Sequence, residues 1–220
     1  MSGAPRLALV TGASRGFGFA VARALGARGW QVVAMARTVG GLEDLADAIE
    51  ADGGLIPTLV PLSITDEGGL QRLCLAIHER WGRIDLVVHA AAHAPPLSPA
   101  PHISDKDLDQ GIAVNLRGTA RLIALVQPLL LAAPAGRFVY VADDRAGEPF
   151  FGAYGVGKTG AEALVRSWAA ESARIGPQVA LFHPAPMPTA LRARFFPGED
   201  RAPLAACAAE AERLVATLPA

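Results

Sequence analysis

Two side chains suited to proton transfer lie one helical turn apart in the last third of the chain. Tyr154 and Lys158 are separated by three residues, in a segment whose pattern predicts a helix from Tyr154 to Ile175. Residues at i and i+4 project from the same side of a helix, so the hydroxyl and the ammonium face the same space. A tyrosine can donate a proton to a substrate or accept one from it. The pair therefore predicts acid–base chemistry, provided that the fold places a ligand beside it.

A glycine-rich segment near the N-terminus predicts a phosphate-binding turn. The sequence TGASRGFG runs from Thr11 to Gly18, directly after a predicted strand and at the start of a predicted helix. Glycines permit the tight turn and the close approach of a phosphate, and the helix N-terminus offers free N–H groups to the anion. The residues expected to hold a dinucleotide here are Gly12, Ser14, Arg15, Gly16, Phe17 and Gly18.

The end of the second predicted strand favours NADP(H) over NAD(H). An acidic residue there hydrogen-bonds the ribose 2′-hydroxyl of NAD(H) and repels a 2′-phosphate. This sequence has Ala36 in that place, followed by Arg37, and Arg15 lies in the glycine turn. Two guanidinium groups suit bidentate binding of a phosphate. Two solvated surface arginines are the alternative interpretation.

Strands and helices alternate along the chain, which predicts the elements that position these residues. The apolar runs mostly lack polar alternation, as expected for strands buried on both faces of a parallel sheet. The predicted strands are Leu7–Val10, Gln31–Ala36, Leu55–Leu62, Ile84–His89, Phe138–Ala142 and Val179–His183. The predicted helices are Gly16–Arg28, Leu42–Ala51, Glu67–Trp81, Lys106–Leu131 and Tyr154–Ile175, with Asp66 as the N-cap of the third. The pattern predicts an α/β fold in three layers, α/β/α, around a Rossmann-type doubly wound parallel sheet of order 3-2-1-4-5-6.

Two proline-rich loops follow predicted strands, His93–Ser104 and Pro184–Pro203. Both should lie at the carboxyl edge of the sheet, where such folds bind their ligands. We therefore expect residues 92–104 and 184–203 to line the substrate site.

The composition limits the classes to which the chain belongs. Its 220 residues predict one domain, 1–220, and a net charge of -1 argues against a nucleic-acid partner. Cys74 and Cys207 match no metal-binding or redox spacing, so no metal is predicted, and Cys74 falls in the apolar pattern of a helix. No apolar stretch approaches the ~18 residues that span a bilayer, and the N-terminus lacks the pattern of a signal peptide. We expect a cytoplasmic protein that does not enter a membrane.

The motifs together resemble the short-chain dehydrogenase/reductase family. Besides the glycine turn, the resemblance rests on Asn115 in AVNLRGT, on Tyr154 and Lys158 in YGVGK, and on PAPMPT from Pro184 to Thr189, where the family has PGxxxT. It covers about residues 6 to 200. It implies a carbonyl or alcohol substrate, with Tyr154 as acid or base, Lys158 lowering the tyrosine pKa and Asn115 supporting a water. It also implies cofactor contacts from Ser63, Ala90, Ala91, Tyr154, Lys158, Pro184 and Thr189.

The serine that hydrogen-bonds the substrate carbonyl in this family is missing. Counting along the strand from Gly136 places Asp143 there, whereas counting back from Gly147 places Asp144. An ionised aspartate would oppose a developing alkoxide and raise the pKa of the tyrosine. A protonated aspartate could instead donate the hydrogen bond.

Three further features depart from the family pattern. His89-Ala90-Ala91-Ala92 stands where the family has NNAG, and Ser63 replaces an aspartate that contacts adenine. His89 is interpreted as a hydrogen-bonded histidine at a strand end. The sequence ends at Ala220, after a helix, so a seventh strand is not expected.

Two functions fit these observations. One is an NADP(H)-dependent oxidoreductase that interconverts a carbonyl and an alcohol. The other is a catalytically weak or inactive relative that binds a dinucleotide as a sensor or regulatory partner. The joint presence of Tyr154, Lys158 and Asn115 favours the enzyme. The resemblance further implies a homodimer that pairs through the helices predicted at Lys106–Leu131 and Tyr154–Ile175.

Overall fold

The protein contains a twisted parallel sheet with helices on both faces. A computed structural model describes residues 4–218, and within them the six strands are ordered β3-β2-β1-β4-β5-β6, each pair parallel. The predicted order is confirmed. The strands are β1 Leu7–Thr11, β2 Gln31–Ala36, β3 Thr58–Pro61, β4 Leu86–His89, β5 Arg137–Val141 and β6 Gln178–Phe182.

The helices account for the burial of both sheet faces. They are α1 Gly16–Gly26, α2 Val39–Ala51, α3 Glu67–Trp81, α4 Asp105–Gly111, α5 Gly118–Leu131, α6 Gly152–Ser172, α7 Ala190–Phe195 and α8 Cys207–Val215, with a short 3-10 helix at Ala100–His102. Alternate residues of a strand face opposite sides of the sheet. Ala8 and Val10 thus pack with α1, α2 and α8, whereas Leu7 and Leu9 pack with α3, α5 and α6.

Several predicted boundaries are confirmed and others are wrong. Asp66 caps α3 by accepting a hydrogen bond from the Gly69 amide at 2.9 Å, and Cys74 is buried, as predicted. The strand predicted at Leu55–Leu62 is too long, because β3 is an edge strand that pairs with β2 over Thr58–Pro61. Leu55 and Ile56 are exposed. Helix α7 lies inside the segment predicted as a loop, and the other boundaries differ by a few residues.

The helix predicted at Lys106–Leu131 is not a continuous α-helix. A π-helical segment, Ile112–Arg117, joins α4 to α5. The Thr119 hydroxyl donates to the Asn115 carbonyl at 2.7 Å, and such a side-chain bond competes with the regular helical ladder. Two glycines let α6 pack closely here, since a Cβ on Gly157 would lie 3.0 Å from the Cβ of Asn115 and one on Gly111 would lie 2.9 Å from the Ala153 carbonyl oxygen.

The described part of the chain, residues 4–218, contains no helix that is both long and apolar enough to cross a membrane.

Candidate active site

The site lies at the carboxyl edge of the sheet, where the ends of the strands and the following loops enclose a cavity of about 550 Å³. Every residue proposed from the sequence to bind the cofactor lines this cavity, as do Asp143 and Asp144. Asn115 is 2% exposed and is not among the lining residues. The fold therefore brings together residues that are up to 177 positions apart, from Gly12 to Thr189.

The glycine turn is shaped for close approach. Gly12 and Gly16 have positive φ angles of 72° and 60°, in the region that favours glycine. A Cβ on Gly12 would lie 2.9 Å from the backbone of Ala90 and Ala91, and one on Gly18 would lie 2.4 Å from the Gly12 carbonyl oxygen. The turn leads into the N-terminus of α1, which carries no side-chain cap. The free N–H groups and the positive dipole end at this point suit a phosphate.

Two arginines near the cofactor end of this cavity carry positive charge without a carboxylate partner among the described residues, as does Arg194. Arg15 and Arg37 are both exposed, and neither forms an ion pair with any residue in the range 4–218. By contrast, Arg192, which also lines the cavity, is held by Glu199 at 2.5 Å. The first two guanidinium groups are available to an anionic ligand.

The Tyr154 hydroxyl is hydrogen-bonded to a carboxylate. It donates to Asp143 Oδ2 at 2.8 Å. Tyr154 is 2% exposed, and burial followed by the negative charge of Asp143 holds its pKa well above the ordinary value. Of the two aspartates that the sequence left open, Asp143 is the one that faces the tyrosine.

Lys158 is a buried cation beside the same tyrosine. Its ammonium donates to the Val141 carbonyl at 2.7 Å and lies 4.2 Å from the centroid of the Tyr140 ring. Burial lowers the pKa of Lys158 to about 8, and the nearby carboxylates Asp143 and Glu162 oppose that change. The Lys158 ammonium therefore loses its proton at moderately alkaline pH.

Asp144 points away from the tyrosine and toward the end of β6. Its Oδ2 lies 3.2 Å from His183 Nδ1. One ligand atom from each of Asp144, Glu162 and His183 lies within 4.8 Å of the others. The sequence predicted no metal site, and these three residues come from separate elements, so no spacing in the sequence could indicate the group.

Asn115 is fixed by the loop that follows β4. Its Oδ1 accepts from the His93 amide at 2.7 Å, and its Nδ2 donates to the His93 carbonyl at 2.9 Å. The π-helical segment thus holds the start of the predicted substrate loop at His93, which lines the cavity.

A buried hydrogen-bonded chain runs through His89, and we name it the His89 chain: Ala91, Thr11, His89, Thr119 and Asn115. The Ala91 amide donates to Thr11 Oγ1 at 3.2 Å. The same Oγ1 lies 2.7 Å from His89 Nδ1. His89 Nε2 lies 2.9 Å from Thr119 Oγ1, whose proton goes to Asn115 O. With that proton committed, Nε2 must be the donor to Thr119 and Nδ1 the acceptor from Thr11. The sequence interpretation of His89 agrees with this arrangement but missed its length.

An aromatic wall stands beside Tyr154 and had no signal in the sequence. The centroids of Tyr154 and Phe195 are 4.9 Å apart, as are those of Phe151 and Phe195. Next to it, Arg145 pairs with both carboxylate oxygens of Glu148 at 2.9 Å, while its Nε lies 3.7 Å from Asp143 Oδ1. Tyr154, Phe195, Arg145 and Glu148 line the cavity, whereas Phe151 packs behind them and is not a lining residue.

Sequence comparisons identify relatives that are named oxidoreductases or dehydrogenases. The chain is 31% identical over 201 residues to the uncharacterised oxidoreductase YciK of Escherichia coli, covering 89% of this chain and 79% of that protein. It is 33% identical over 141 residues to the D-threitol dehydrogenase of Mycolicibacterium smegmatis, covering 64% of this chain and 54% of that enzyme. The chain thus matches about half the length of the second relative.

Solved structures agree with this relationship. A short chain dehydrogenase from Pseudomonas syringae superposes with a TM-score of 0.88 at 29% identity, over 94% of this chain and 88% of that one. One from Shigella flexneri, solved in complex with NADP, gives a TM-score of 0.87 at 28% identity over 92% of this chain and 86% of that one. One from Escherichia coli CFT073, solved with NADPH, gives 0.87 at 29% identity, over 93% and 86%.

The family profile described as short chain dehydrogenase matches residues 6–200, the same stretch that carries the glycine turn, Tyr154 and Lys158. This match covers most of the chain and agrees with the strand order of the sheet. The chain therefore belongs to the short-chain dehydrogenase family of oxidoreductases.

Proposed function

We propose that this protein is an NADP(H)-dependent oxidoreductase that interconverts a carbonyl and an alcohol, with Tyr154 as the acid or base. The observation that carries the proposal is that Tyr154 and Lys158 line the same cavity as the glycine turn and Arg37. The two structural neighbours solved with NADP or NADPH support the choice of cofactor.

The cofactor fits the residues that line the cavity. The turn and the start of α1 would hold its diphosphate through backbone N–H groups, and Arg15 and Arg37 would bind the 2′-phosphate. Since no acid opposes that phosphate, NAD(H) is the weaker ligand. When bound, the nicotinamide exchanges a hydride with the substrate. The remaining contacts are assigned to Ser14, Phe17, Ser63, Ala90, Ala91, Pro184 and Thr189.

Tyr154 and Lys158 handle the proton. In reduction, the Tyr154 hydroxyl donates to the oxygen of the substrate, and the Lys158 ammonium favours the tyrosinate that this transfer leaves. Asn115 positions the loop at His93, which borders the substrate. Because the pKa of Tyr154 lies well above its ordinary value, the tyrosine is a poor proton donor while Asp143 accepts its hydrogen bond.

A second function has one observation in its favour. Both reactive groups already donate a hydrogen bond within the protein. The Tyr154 hydroxyl donates to Asp143 and the Lys158 ammonium donates to the Val141 carbonyl. A site of this kind can bind a dinucleotide and turn over slowly. The alternative is a catalytically weak protein that senses the cofactor or serves as a regulatory partner.

A cofactor titration tests the first half of the proposal. We expect NADPH to quench protein fluorescence with a lower Kd than NADH, and Arg37→Ala to raise the Kd for NADPH about 10- to 100-fold, the value of one or two lost charge-assisted bonds. The matched control is Arg174→Ala, an exposed arginine that does not line the cavity. Equal affinities for NADPH and NADH in the unaltered protein would contradict the assignment.

A tyrosine substitution tests the second half. Removal of a general acid costs roughly 10²–10⁴ in rate, so Tyr154→Phe should reduce carbonyl turnover by that factor. NADPH affinity should change little, which separates chemistry from binding. Carbonyl reduction that survives in Tyr154→Phe would show that the tyrosine is not the acid. NADPH binding without turnover of any carbonyl would support the second function.

The remaining expectations follow from the same arrangement. We propose that residues 1–220 act as one dinucleotide-binding unit and that residues 92–104 and 184–203 shape the substrate site. A homodimer is favoured by exposed apolar side chains on the expected pairing helices, Leu131 and Val156, each 51% exposed. Light scattering should give twice the monomer mass, and a monomer at micromolar concentration would contradict the dimer.

A further inference from the structure

One carboxylate of the cavity accepts no hydrogen bond from a cation among residues 4–218. Asp143 Oδ2 accepts from a neutral hydroxyl, that of Tyr154. The nearest guanidinium, Arg145, is engaged by both oxygens of Glu148 and lies 3.7 Å from Asp143 Oδ1. The Lys158 ammonium acts on Asp143 through space and donates to the Val141 carbonyl. The direct contacts of Asp143, Arg145 and Glu148 thus carry one net negative charge, and the Asp143 carboxylate has room for a cationic donor where Tyr154 meets the substrate.

The sign of this charge selects among hydride acceptors. Reduction of a ketone places negative charge on the substrate oxygen in the transition state, and a carboxylate beside that oxygen opposes it. Reduction of a protonated imine starts from a cationic nitrogen and ends with a neutral one. A carboxylate next to that nitrogen attracts the reactive, protonated form into the site and accepts its N–H hydrogen bond.

The aromatic side chains of the cavity also favour a cationic ligand. The rings of Tyr154, Phe151 and Phe195 form edge contacts at 4.9 to 6.4 Å, and Ala94 packs against them. Aromatic faces attract cations. Arg145 and Arg192 already lie over the ring of Phe196, whereas no cation lies over Phe195 among residues 4–218. A carboxylate and an aromatic side chain that lines the same cavity are the groups that recognise an organic cation.

We infer that the substrate class of this site is a protonated imine, a compound with a C=N⁺–H group, and that Asp143 binds its nitrogen. The inference rests on the part of the proposed function that places NADPH in this cavity as the reductant, and it replaces the carbonyl as preferred hydride acceptor by a C=N⁺–H group. The imine carbon gains a hydride, the C=N π pair becomes the lone pair of nitrogen, and the products are a neutral amine and NADP⁺. No proton is taken from Tyr154, which becomes a positioning residue for Asp143 in this reaction.

The experiment compares two five-membered cyclic substrates of similar size, 2-methyl-1-pyrroline and 2-methylcyclopentanone, in the unaltered protein and in Asp143→Ser. In the unaltered protein we expect kcat/KM to be higher for the imine. In Asp143→Ser it should fall about 10²-fold for the imine and rise about 10²-fold for the ketone, since a hydroxyl replaces a repulsive charge with a donor. Tyr154→Phe should lose more of its ketone reduction than of its imine reduction, because only the ketone needs a proton from the tyrosine.

A binding measurement gives a readout that needs no turnover. The protonated amine 2-methylpyrrolidine should bind in the presence of NADP⁺, with an affinity that falls at least tenfold in Asp143→Asn, whereas binding of 2-methylcyclopentanol should not change. Asp143→Asn keeps the shape of the side chain and its acceptor for Tyr154, so it controls for folding, which circular dichroism checks.

The outcomes separate this inference from the proposed function. If NADPH does not bind, the proposed function fails first. If NADPH binds but the ketone is the better substrate of the unaltered protein, or amine affinity is the same in Asp143→Asn, the imine assignment is overturned and the proposed function stands. Turnover of an amino ketone that depends on Asp143, with the imine inert, overturns it too, because the cation would then lie away from the reacting carbon.

Discussion

Two groups of polar side chains lie at the carboxyl ends of the neighbouring strands β4 and β5, and they differ in how completely their members are hydrogen-bonded. In the His89 chain, every donor has an acceptor, and the chain is sealed between β1, β4 and α5. Around Tyr154, the hydroxyl donor has an acceptor, but Asp143 accepts no hydrogen bond from a cation among residues 4–218, because Glu148 already holds the Arg145 guanidinium. On the sequence alone, both positions, His89 and Asp143, depart from the pattern expected of the family.

From this difference in hydrogen bonding we infer that His89 has a structural role and Asp143 a functional one. At His89, two threonines complete the hydrogen bonds of the imidazole, so the group needs nothing from outside the protein. At Asp143, no cationic side chain of the described residues donates a hydrogen bond to the carboxylate, so a ligand can. Unbalanced charge at the wall of a cavity is what a binding site requires, and buried polar groups with complete partners are what a stable core requires.

The largest effect is expected from a break in the His89 chain. His89→Ala removes a buried ring and leaves the hydroxyls of Thr11 and Thr119 without their shared partner, so the free energy of unfolding should fall by about 4 kcal/mol. His89→Asn keeps one donor and one acceptor and should lose clearly less. Urea denaturation measures both. Equal losses in the two variants would mean that cavity formation, rather than hydrogen bonding, accounts for the effect.

Acid should destabilise the protein through the same histidine. Burial, with a smaller effect from Lys158, lowers the pKa of His89 to about 3. The unfolded chain takes up this proton near pH 6.5 and the folded protein near pH 3, so the free energy of unfolding falls as the pH drops through that window. Between pH 7 and pH 4 the loss from His89 should be about 3 kcal/mol.

Urea titrations of the unaltered protein and of His89→Asn at both pH values isolate this contribution. The acidic side chains titrate alike in both proteins, so the difference between their pH dependences belongs to the histidine. The same pH dependence in both proteins would show that His89 is not held neutral by burial.

The smallest stability effect is expected at the unbalanced group. In Asp143→Asn the amide oxygen still accepts from Tyr154, and the side chain of Asp143 is 31% exposed, so the free energy of unfolding should change by less than about 1 kcal/mol. The pKa of Tyr154 should fall, because a negative charge is lost.

Tyrosine absorbance can follow this change, since the chain has two tyrosines, Tyr140 and Tyr154. In a Tyr140→Phe background, Tyr154 is observed alone. The Tyr140 hydroxyl has no hydrogen-bond partner among residues 4–218, so its removal should be tolerated. A titration of Tyr154 that does not move when Asp143 is replaced would show that the carboxylate does not influence the tyrosine.

The sequence was enough to predict the sheet, because its information is local. Apolar runs separated by amphipathic segments permit few right-handed topologies, and the glycine turn after β1 marks where the strand order reverses. It could not choose between Asp143 and Asp144. Neighbouring residues just past β5 project in opposite directions, so a shift of one position decides whether a carboxylate meets Tyr154 or His183.

The π-helical segment also could not be predicted from the sequence. Its presence depends on a hydroxyl of Thr119 that turns back to Asn115 and on two glycines from different helices that let α6 approach. The spacing of apolar residues over Lys106–Leu131 predicts a helix, but it does not distinguish an α turn from a π turn within it. The aromatic wall and the Asp144, Glu162 and His183 group likewise arise from contacts between elements that are distant in the chain.

The segment Ile112–Arg117 has a consequence for the ways in which the gene can change. A π turn accommodates one residue more than an α turn over the same length of helix axis. Deletion of one residue there would convert the π turn into an α turn, and α4 and α5 would keep their relative orientation. Leu122 and Val126, both fully buried, would therefore stay against the sheet. The deletion would instead shift Asn115, whose amide holds the backbone of His93. The surplus residue of this segment thus serves the position of Asn115 rather than the packing of α5.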